Sequence, residues 1–329
     1  MSLQHINRVI VTGGAGFIGS HIIDYLVRNR LAEEVIAIDN LSSGSIDNIA
    51  GHINKKYFTF VKADLKHPDE QWLYYFRNAD IAIHMAANPE VRVSVTNPDI
   101  HFNENLVVTF NVLEACRRGR AKTLVFASSS TVYGDAKTIP TPENYQPLEP
   151  ISIYGAAKLA AEYLCISYSK LYGIKCLIVR YANVIGPRST HGVIVDFINK
   201  LRQNPKELEI LGDGTQRKSY LHVYDAVNAT LFLALKILPT AGVDYDVYNV
   251  GNEDWITVRE IADIVVEEMG LSNIKYIFKP ATPDGRGWLG DVKFMLLDIS
   301  KLKSTGWKPS MNSYTAVRKT VRQLLKKET

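Results

Sequence analysis

Residues 8–39 constrain the fold more than any other part of this 329-residue chain. A short apolar run, Arg8-Val9-Ile10-Val11-Thr12, enters the loop Gly13-Gly14-Ala15-Gly16-Phe17-Ile18-Gly19. A helical pattern follows over 17–29, and a second apolar run over 35–39 ends in Asp39. Strand, glycine turn, helix and strand in that order form the βαβ unit that binds dinucleotides. The glycines permit a tight turn and let backbone amides approach a pyrophosphate, while the helix N-terminus offers it partial positive charge. A carboxylate about 20 residues on accepts hydrogen bonds from a ribose diol and repels a 2′-phosphate. The expected cofactor is therefore NAD and not NADP, held by Gly13, Gly16, Phe17, Ile18, Gly19, Asp39 and Asn40.

The pattern continues beyond this unit. Short apolar runs at 58–61, 81–85, 123–127 and 176–179 alternate with helical patterns at 69–77, 98–118 and 153–172. Such alternation predicts an α/β fold, a Rossmann-like doubly wound parallel sheet covered on both faces. After Arg180 the segments shorten, punctuated by Gly186-Pro187, Asn204-Pro205, Gly212-Asp213-Gly214 and Pro283-Asp284-Gly285. The expectation is a NAD-binding domain over 1–180 and a smaller C-terminal α/β substrate domain over 181–329, with some segments returning to the first. Four prolines in 138–150 mark an ordered loop at the domain edge.

Composition narrows the function classes. A formal charge of +4 is small for this length and argues against nucleic acid or an anionic membrane as partner. No apolar run approaches the ~18 residues of a membrane span. Three widely spaced cysteines carry no metal-binding pattern and suit a reducing compartment, so a cytoplasmic protein without a metal site is expected.

Tyr154 and Lys158 lie four residues apart on one face of the 153–172 helix. A lysine cation beside a phenol favours the phenolate, which would bring the tyrosine from its usual value near 10 toward neutrality. Such a group exchanges protons at physiological pH. With a dinucleotide loop upstream, the pair points to redox chemistry on an alcohol.

Taken in order along the chain, several modest motifs make a specific set: Thr12 through Gly19, Asp64-Leu65, His84-Met85-Ala86-Ala87, Ser128-Ser129-Ser130-Thr131-Val132-Tyr133-Gly134, Tyr154 through Lys158, Arg180-Tyr181-Ala182-Asn183 and Gly212-Asp213-Gly214-Thr215. In these the chain resembles the extended short-chain dehydrogenases/reductases of the NAD-dependent epimerase/dehydratase family, and within them the UDP-glucose (UDP-galactose) 4-epimerases. The resemblance implies a UDP-sugar substrate and interconversion at C4 through a transient 4-keto sugar. It implies Asp64 and Leu65 at the adenine, Ala86 and Ala87 along the cofactor channel, and Asn105 with Thr109 in an asparagine-containing helix motif. Ser129, four residues before Tyr133, takes the place of the family's catalytic Ser/Thr, beside Tyr154 as acid/base and Lys158 on the nicotinamide ribose. Asn183 and Arg286 are implied at the diphosphate, Asp291 at the uridine ribose and Met295 at the position that gates sugar size. The resemblance further implies a homodimer built on the helices over 105–117 and 154–172.

Departures sharpen the reading. Dehydratases of the group carry Asp-Glu after the catalytic Ser/Thr, and nucleotide-sugar decarboxylases a glutamate; here Ser130 and Thr131 stand there, and neither titrates usefully. The family's Arg-Asp after Gly-Asp-Gly-Thr-x-x falls on Lys218-Ser219, with Arg217 one residue earlier, so either cation is a candidate phosphate clamp. A lysine of some epimerases maps to Pro89, with Arg92 as a nearby substitute. Methionine at 295 is intermediate between a large aromatic and a small residue, leaving N-acetyl and uronic sugars as alternatives. A non-catalytic NAD-binding regulator and a net dehydrogenase are the other competing outcomes.

Overall fold

The computed structural model describes residues 6–326. Six strands follow the predicted rhythm: β1 (Ile6–Thr12), β2 (Ala32–Asp39), β3 (Phe58–Lys62), β4 (Ile81–His84), β5 (Thr123–Ser129) and β6 (Lys175–Tyr181). The strand Tyr245–Val250 pairs with β6 and completes a seven-stranded sheet. Its order is Tyr245–Val250, β6, β5, β4, β1, β2, β3, and every pairing is parallel. Strands β1, β2, β4, β5 and β6 are almost wholly buried, as a sheet covered on both faces requires. The order reverses between β1 and β4. In open parallel sheets that reversal opens a crevice at the carboxyl ends of the strands.

Three helices matter most here: α1 (Phe17–Arg28), α2 (Val108–Gly119) and α3 (Ile153–Tyr172). Helix α3 starts where Ser152 Oγ accepts from the Gly155 amide (3.1 Å) and stops at Gly173 in the left-handed conformation. The continuous helix predicted over 98–118 is broken instead. A short turn at Asp99–His101 passes into a π-helical stretch, Phe102–Val107, before α2 begins. The side chain of Thr109 donates to the Asn105 carbonyl at 2.5 Å, which draws that carbonyl toward a hydroxyl partner at the join. Such widened turns recur at functional sites.

Beyond Tyr181 the chain builds smaller sheets: Asn183–Ile185 with Tyr220–His222, Glu207–Leu211 with Lys275–Lys279, and a three-stranded set of Ile256–Thr257, Arg217–Lys218 and Phe294–Met295. A separate apolar core lies here, formed by Ile194, Phe197, Leu201, Ile261, Val265 and Val317 among others. The proline-rich loop is ordered: the Thr141 amide donates to Leu296 and the Asp298 amide to Thr141, both at 2.9 Å. Among the described residues, no helix is long and apolar enough to cross a membrane.

Candidate active site

A cleft of about 470 Å³ opens at the carboxyl ends of β1, β2, β4, β5 and β6. Gly13 has φ +67°, and a Cβ there would lie 2.7 Å from the Ala86 amide nitrogen, so only glycine allows the first turn to pack on the segment after β4. The N-cap of α1 is Gly16, and no side chain caps the helix. Its first-turn amides therefore remain available to an anion. Asp39 accepts from the Ala15 amide (3.0 Å) and the Leu41 amide (2.7 Å). Burial pushes its carboxyl pKa up, a cost that a donating ribose diol would relieve. Uncapped amides, a buried carboxylate and small Ala86 and Ala87 along the wall fit a dinucleotide. Phe17, Ile18, Gly19, Asn40, Asp64 and Leu65 line the same cleft.

Beneath this loop runs a buried polar wire. Thr109 spends its one hydroxyl proton on the Asn105 carbonyl, so its oxygen accepts from His84 Nε2 (3.1 Å). The other ring nitrogen, Nδ1, then accepts from Thr12 Oγ1 (2.7 Å). His84 is thus held neutral, and burial lowers its pKa from 6.5 to about 3. The unfolded chain binds a proton at this ring below about pH 6.5, whereas the folded chain refuses it until about pH 3. His84 therefore contributes stability that is complete above pH 6.5 and lost as pH falls toward 3, on the order of 4–5 kcal/mol in total. His21, lowered to about 4 by burial, loses stability in the same direction. Urea midpoints measured from pH 7 to pH 4 should fall steeply, and His84→Asn should flatten the slope. An unchanged slope in that variant would refute the assignment.

Tyr154, Ser129 and Lys158 meet at the cleft floor. Gly155 lets α3 approach the serine turn: a Cβ there would sit 2.8 Å from the Thr131 carbonyl. Tyr154 is further pinned by its amide, which donates to Ser94 Oγ at 3.1 Å. Ser129 Oγ accepts from the Thr131 amide (3.2 Å) and hydroxyl (3.0 Å), which leaves its own proton for the Tyr154 phenol. Thr131 orients the serine, a task the sequence pattern did not reveal.

The electrostatics depart from expectation. Burial pushes the Tyr154 phenol up to about 12, and the Ser129 hydrogen bond lowers it only in part. Burial brings Lys158 down to about 8. Lys158 Nζ donates to the Ala127 carbonyl (2.8 Å) and lies 5.9 Å from the Tyr154 ring centroid. Desolvation penalises both charged forms, so helix spacing alone does not bring the phenol to neutrality.

On the opposite wall the structure separates residues that the sequence pattern grouped. Asn183, Lys218, Asp291 and Met295 line the cleft. Asn183 Nδ2 donates to the Ser219 carbonyl (3.1 Å), and Lys218 Nζ pairs with Asp291 Oδ1 (2.5 Å). Arg217 is exposed and lies 5.8 Å over the Trp255 ring, away from the cleft wall. Arg286 is held by Asp284 (2.7 Å), by Asp135 (2.9 Å) and by the backbone carbonyl of the cleft-lining Asp291 (2.8 Å). Asn105 is fully buried and supports the cleft from behind, accepting from the Asn88 amide at 2.7 Å. Trp288 and Gln216, which the sequence reading did not single out, line the cleft, with Trp288 Nε1 and Gln216 Oε1 buried and unpartnered. Arg92 lines it too, its charge matched by Glu90 through two bonds of 2.9 and 3.1 Å.

Fold and site together define a dinucleotide-dependent enzyme acting on an alcohol. Residues 9–251 match the model of the NAD dependent epimerase/dehydratase family. The chain is 37% identical over 318 residues to a putative UDP-glucose 4-epimerase of Methanocaldococcus jannaschii, covering 95% of this chain and 97% of that protein. A crystal structure of a UDP-galactose 4-epimerase superposes with a TM-score of 0.84 at 49% identity, over 97% of this chain and 99% of that one. A UDP-N-acetylglucosamine 4-epimerase from Methanobrevibacter ruminantium gives 0.83 at 30% identity, over 98% and 100%. The chain belongs to the NAD dependent epimerase/dehydratase family. Within that family it stands with the UDP-sugar 4-epimerases, which are isomerases, and its cofactor is NAD.

Proposed function

We propose that the protein interconverts UDP-galactose and UDP-glucose by inverting C4, with Tyr154 as the acid/base. The observation that carries this reading is the buried meeting of Tyr154, Ser129 and Lys158 beside the dinucleotide loop, with the non-titrating Ser130 and Thr131 next to Ser129. Bound NAD would supply reversible hydride exchange at C4. Tyr154 Oη takes the 4-OH proton and later returns one, and Ser129 orients the same oxygen. Lys158 holds the nicotinamide ribose, Asp39 and Asn40 the adenosine ribose, and Asp64 and Leu65 the adenine. Asn183, Lys218 and Asp291 hold the UDP moiety, with Arg286 bonded to the Asp291 carbonyl as a further candidate for the diphosphate, while Arg217 stands outside this set. The Glu90–Arg92 ion pair leaves no unmatched cation on its stretch of wall, which favours a neutral hexose over a uronate. Met295 narrows the wall without an aromatic ring. An N-acetylhexosamine is therefore the second reading.

The test is to incubate the protein with UDP-galactose and follow UDP-glucose and free NADH together. Product without net NADH is expected. NADH rising in step with product would make the protein a dehydrogenase. Turnover of UDP-N-acetylglucosamine alone would move the reading to the second sugar.

We also propose a cytoplasmic homodimer. Phe102, Phe110, Tyr163, Leu171 and Tyr172 are exposed on the π-stretch, α2 and α3, with Leu171 71% accessible. Apolar residues gathered on one helix pair fit an isologous four-helix contact. Light scattering at micromolar concentration should give twice the 36.9 kDa chain mass; a single-chain mass would remove the dimer.

A further inference from the structure

Arg92 is the one arginine lining the cleft among the described residues, and a neighbour in its own loop occupies it. Glu90 Oε1 accepts from Arg92 Nε at 2.9 Å and Glu90 Oε2 from Arg92 Nη2 at 3.1 Å, the two-bond fork that a guanidinium offers to any carboxylate. A tight turn holds the carboxylate there: the Glu90 amide donates to Asn88 Oδ1 (3.1 Å) and the Arg92 amide to Glu90 Oε1 (3.3 Å). The Glu90 and Arg92 side chains are 32% and 45% accessible, so a ligand in the cleft can reach both. The loop is fixed at the reacting end, because Ser94 Oγ, two residues on, accepts from the Tyr154 amide at 3.1 Å. On its other side Arg92 Cζ lies 5.9 Å from the centroid of the Trp288 ring, and Lys218 Nζ lies 5.2 Å from the same centroid. Arg92 thus stands between Tyr154 and the wall that carries Lys218 and Asp291.

We infer that Glu90 is a specificity-determining residue: its carboxylate takes on Arg92 the place that the C6 carboxylate of a uronate would take, so the site admits a C6 hydroxymethyl and turns a uronate away. A nucleotide hexose is joined to its diphosphate at C1, reacts at C4 and carries C6 on the carbon next to C4. Running from the Lys218–Asp291 wall to Tyr154, it passes Arg92. A uronate there must either displace Glu90 or lie beside it, and each arrangement leaves one carboxylate in the cleft without its cation. An unmatched charge is costly away from bulk water, and it is the repulsive element by which a site rejects a near relative of its substrate. The surrounding groups supply no relief. Asp196 lines the cleft, faces Arg92 and is paired with Lys200 at 2.8 Å. His191 faces both Glu90 and Arg92, and burial keeps it neutral. A hydroxymethyl group needs no cation and leaves the Glu90–Arg92 fork intact.

The inference rests on the UDP-hexose reading above and deepens it. Its test is calorimetric titration of the NAD-loaded protein with UDP-glucose and with UDP-glucuronate, read as the ratio of the two Kd values. Wild type should prefer UDP-glucose. Glu90→Gln keeps the shape of the side chain and removes its charge, which leaves the Arg92 cation unmatched. The ratio should then move toward the uronate by roughly 10- to 100-fold, the worth of a charge-assisted contact. Glu90→Gln combined with Arg92→Gln removes the cation as well and should return the ratio close to wild type. An unchanged ratio in Glu90→Gln overturns the inference, as does a shift that persists in the double variant or a wild type that binds both sugars equally. UDP-galactose turnover by wild type, measured alongside, tells the two failures apart. Turnover with an unchanged ratio overturns the role of Glu90 alone, whereas no turnover and no UDP-glucose binding overturn the hexose reading with it. Thermal melting checks that each variant folds, and Glu90→Ala reads the same ratio if Glu90→Gln does not.

Discussion

Tyr154→Phe lowers the rate of UDP-sugar epimerisation by roughly 10²–10⁴-fold, the span over which a positioned acid/base accelerates proton transfer. The substitution removes one oxygen and leaves the ring in place against His101 and the Ser94–Tyr154 amide contact intact. The glycine loop and Asp39 are untouched, so NAD content on purification should match wild type. KM for the UDP-sugar should change little, because Asn183, Lys218 and Asp291 lie on the opposite wall. The loss should therefore fall on kcat. The pH profile carries further information. Burial, offset in part by the Ser129 hydrogen bond, holds the phenol near 12, so an acid limb near neutrality in wild type measures how far the NAD-loaded site pulls that value down. That limb should vanish in Tyr154→Phe. Ser129→Ala should retain more activity, since Ser129 orients and does not exchange the proton with substrate. A Tyr154→Phe protein within about threefold of wild type at neutral pH would sink the acid/base assignment.

How much of this site could be read from residues alone depends on how local the causes are. The dinucleotide unit was legible because its parts are contiguous: strand, glycine turn, helix and a carboxylate at the next strand end all fall within residues 6–39. Helix α3 was legible to its ends because Ser152 caps it and Gly173 stops it. The choice between Arg217 and Lys218 was not legible. Both sit on a two-residue strand, where adjacent side chains point to opposite faces. Only the pairing with Ile256–Thr257 and Phe294–Met295 decides which face meets the cleft. The partners of Arg286 were illegible for a different reason, since one of the carboxylates that hold it, Asp135, lies 151 residues away. The phenol's pKa failed for a third. Spacing gives proximity, but it does not give the depth of burial, and burial is what raises the phenol and lowers the lysine here.

Glu162→Ala destabilises the protein by about 3–5 kcal/mol, because it leaves a buried guanidinium without its counter-charge. Glu162 and Arg180 are each almost fully buried behind the serine turn. The carboxylate accepts from Arg180 Nη2 at 2.6 Å and from its Nε at 2.9 Å, and also from the Ser128 hydroxyl. Arg180 Nη1 donates onward to Tyr133 (2.9 Å) and to the Glu143 carbonyl (3.1 Å), and the Tyr133 hydroxyl donates to Asn249 (2.8 Å). The network thus joins α3, β5, β6 and the Tyr245–Val250 strand at one point beneath Ser129. Water cannot replace the lost carboxylate without opening that interior, so the full desolvation cost of the cation appears on unfolding curves. Removing both charges should cost less than removing one: Glu162→Leu combined with Arg180→Met should recover much of the urea midpoint. Lys158 lies one turn before Glu162 on α3 and feels its charge. The single variant should therefore also lose kcat, through a shifted Lys158 and a loosened Ser128–Ser129 turn. Equal destabilisation in the single and double variants would mean that packing volume, and not the ion pair, is what this position supplies.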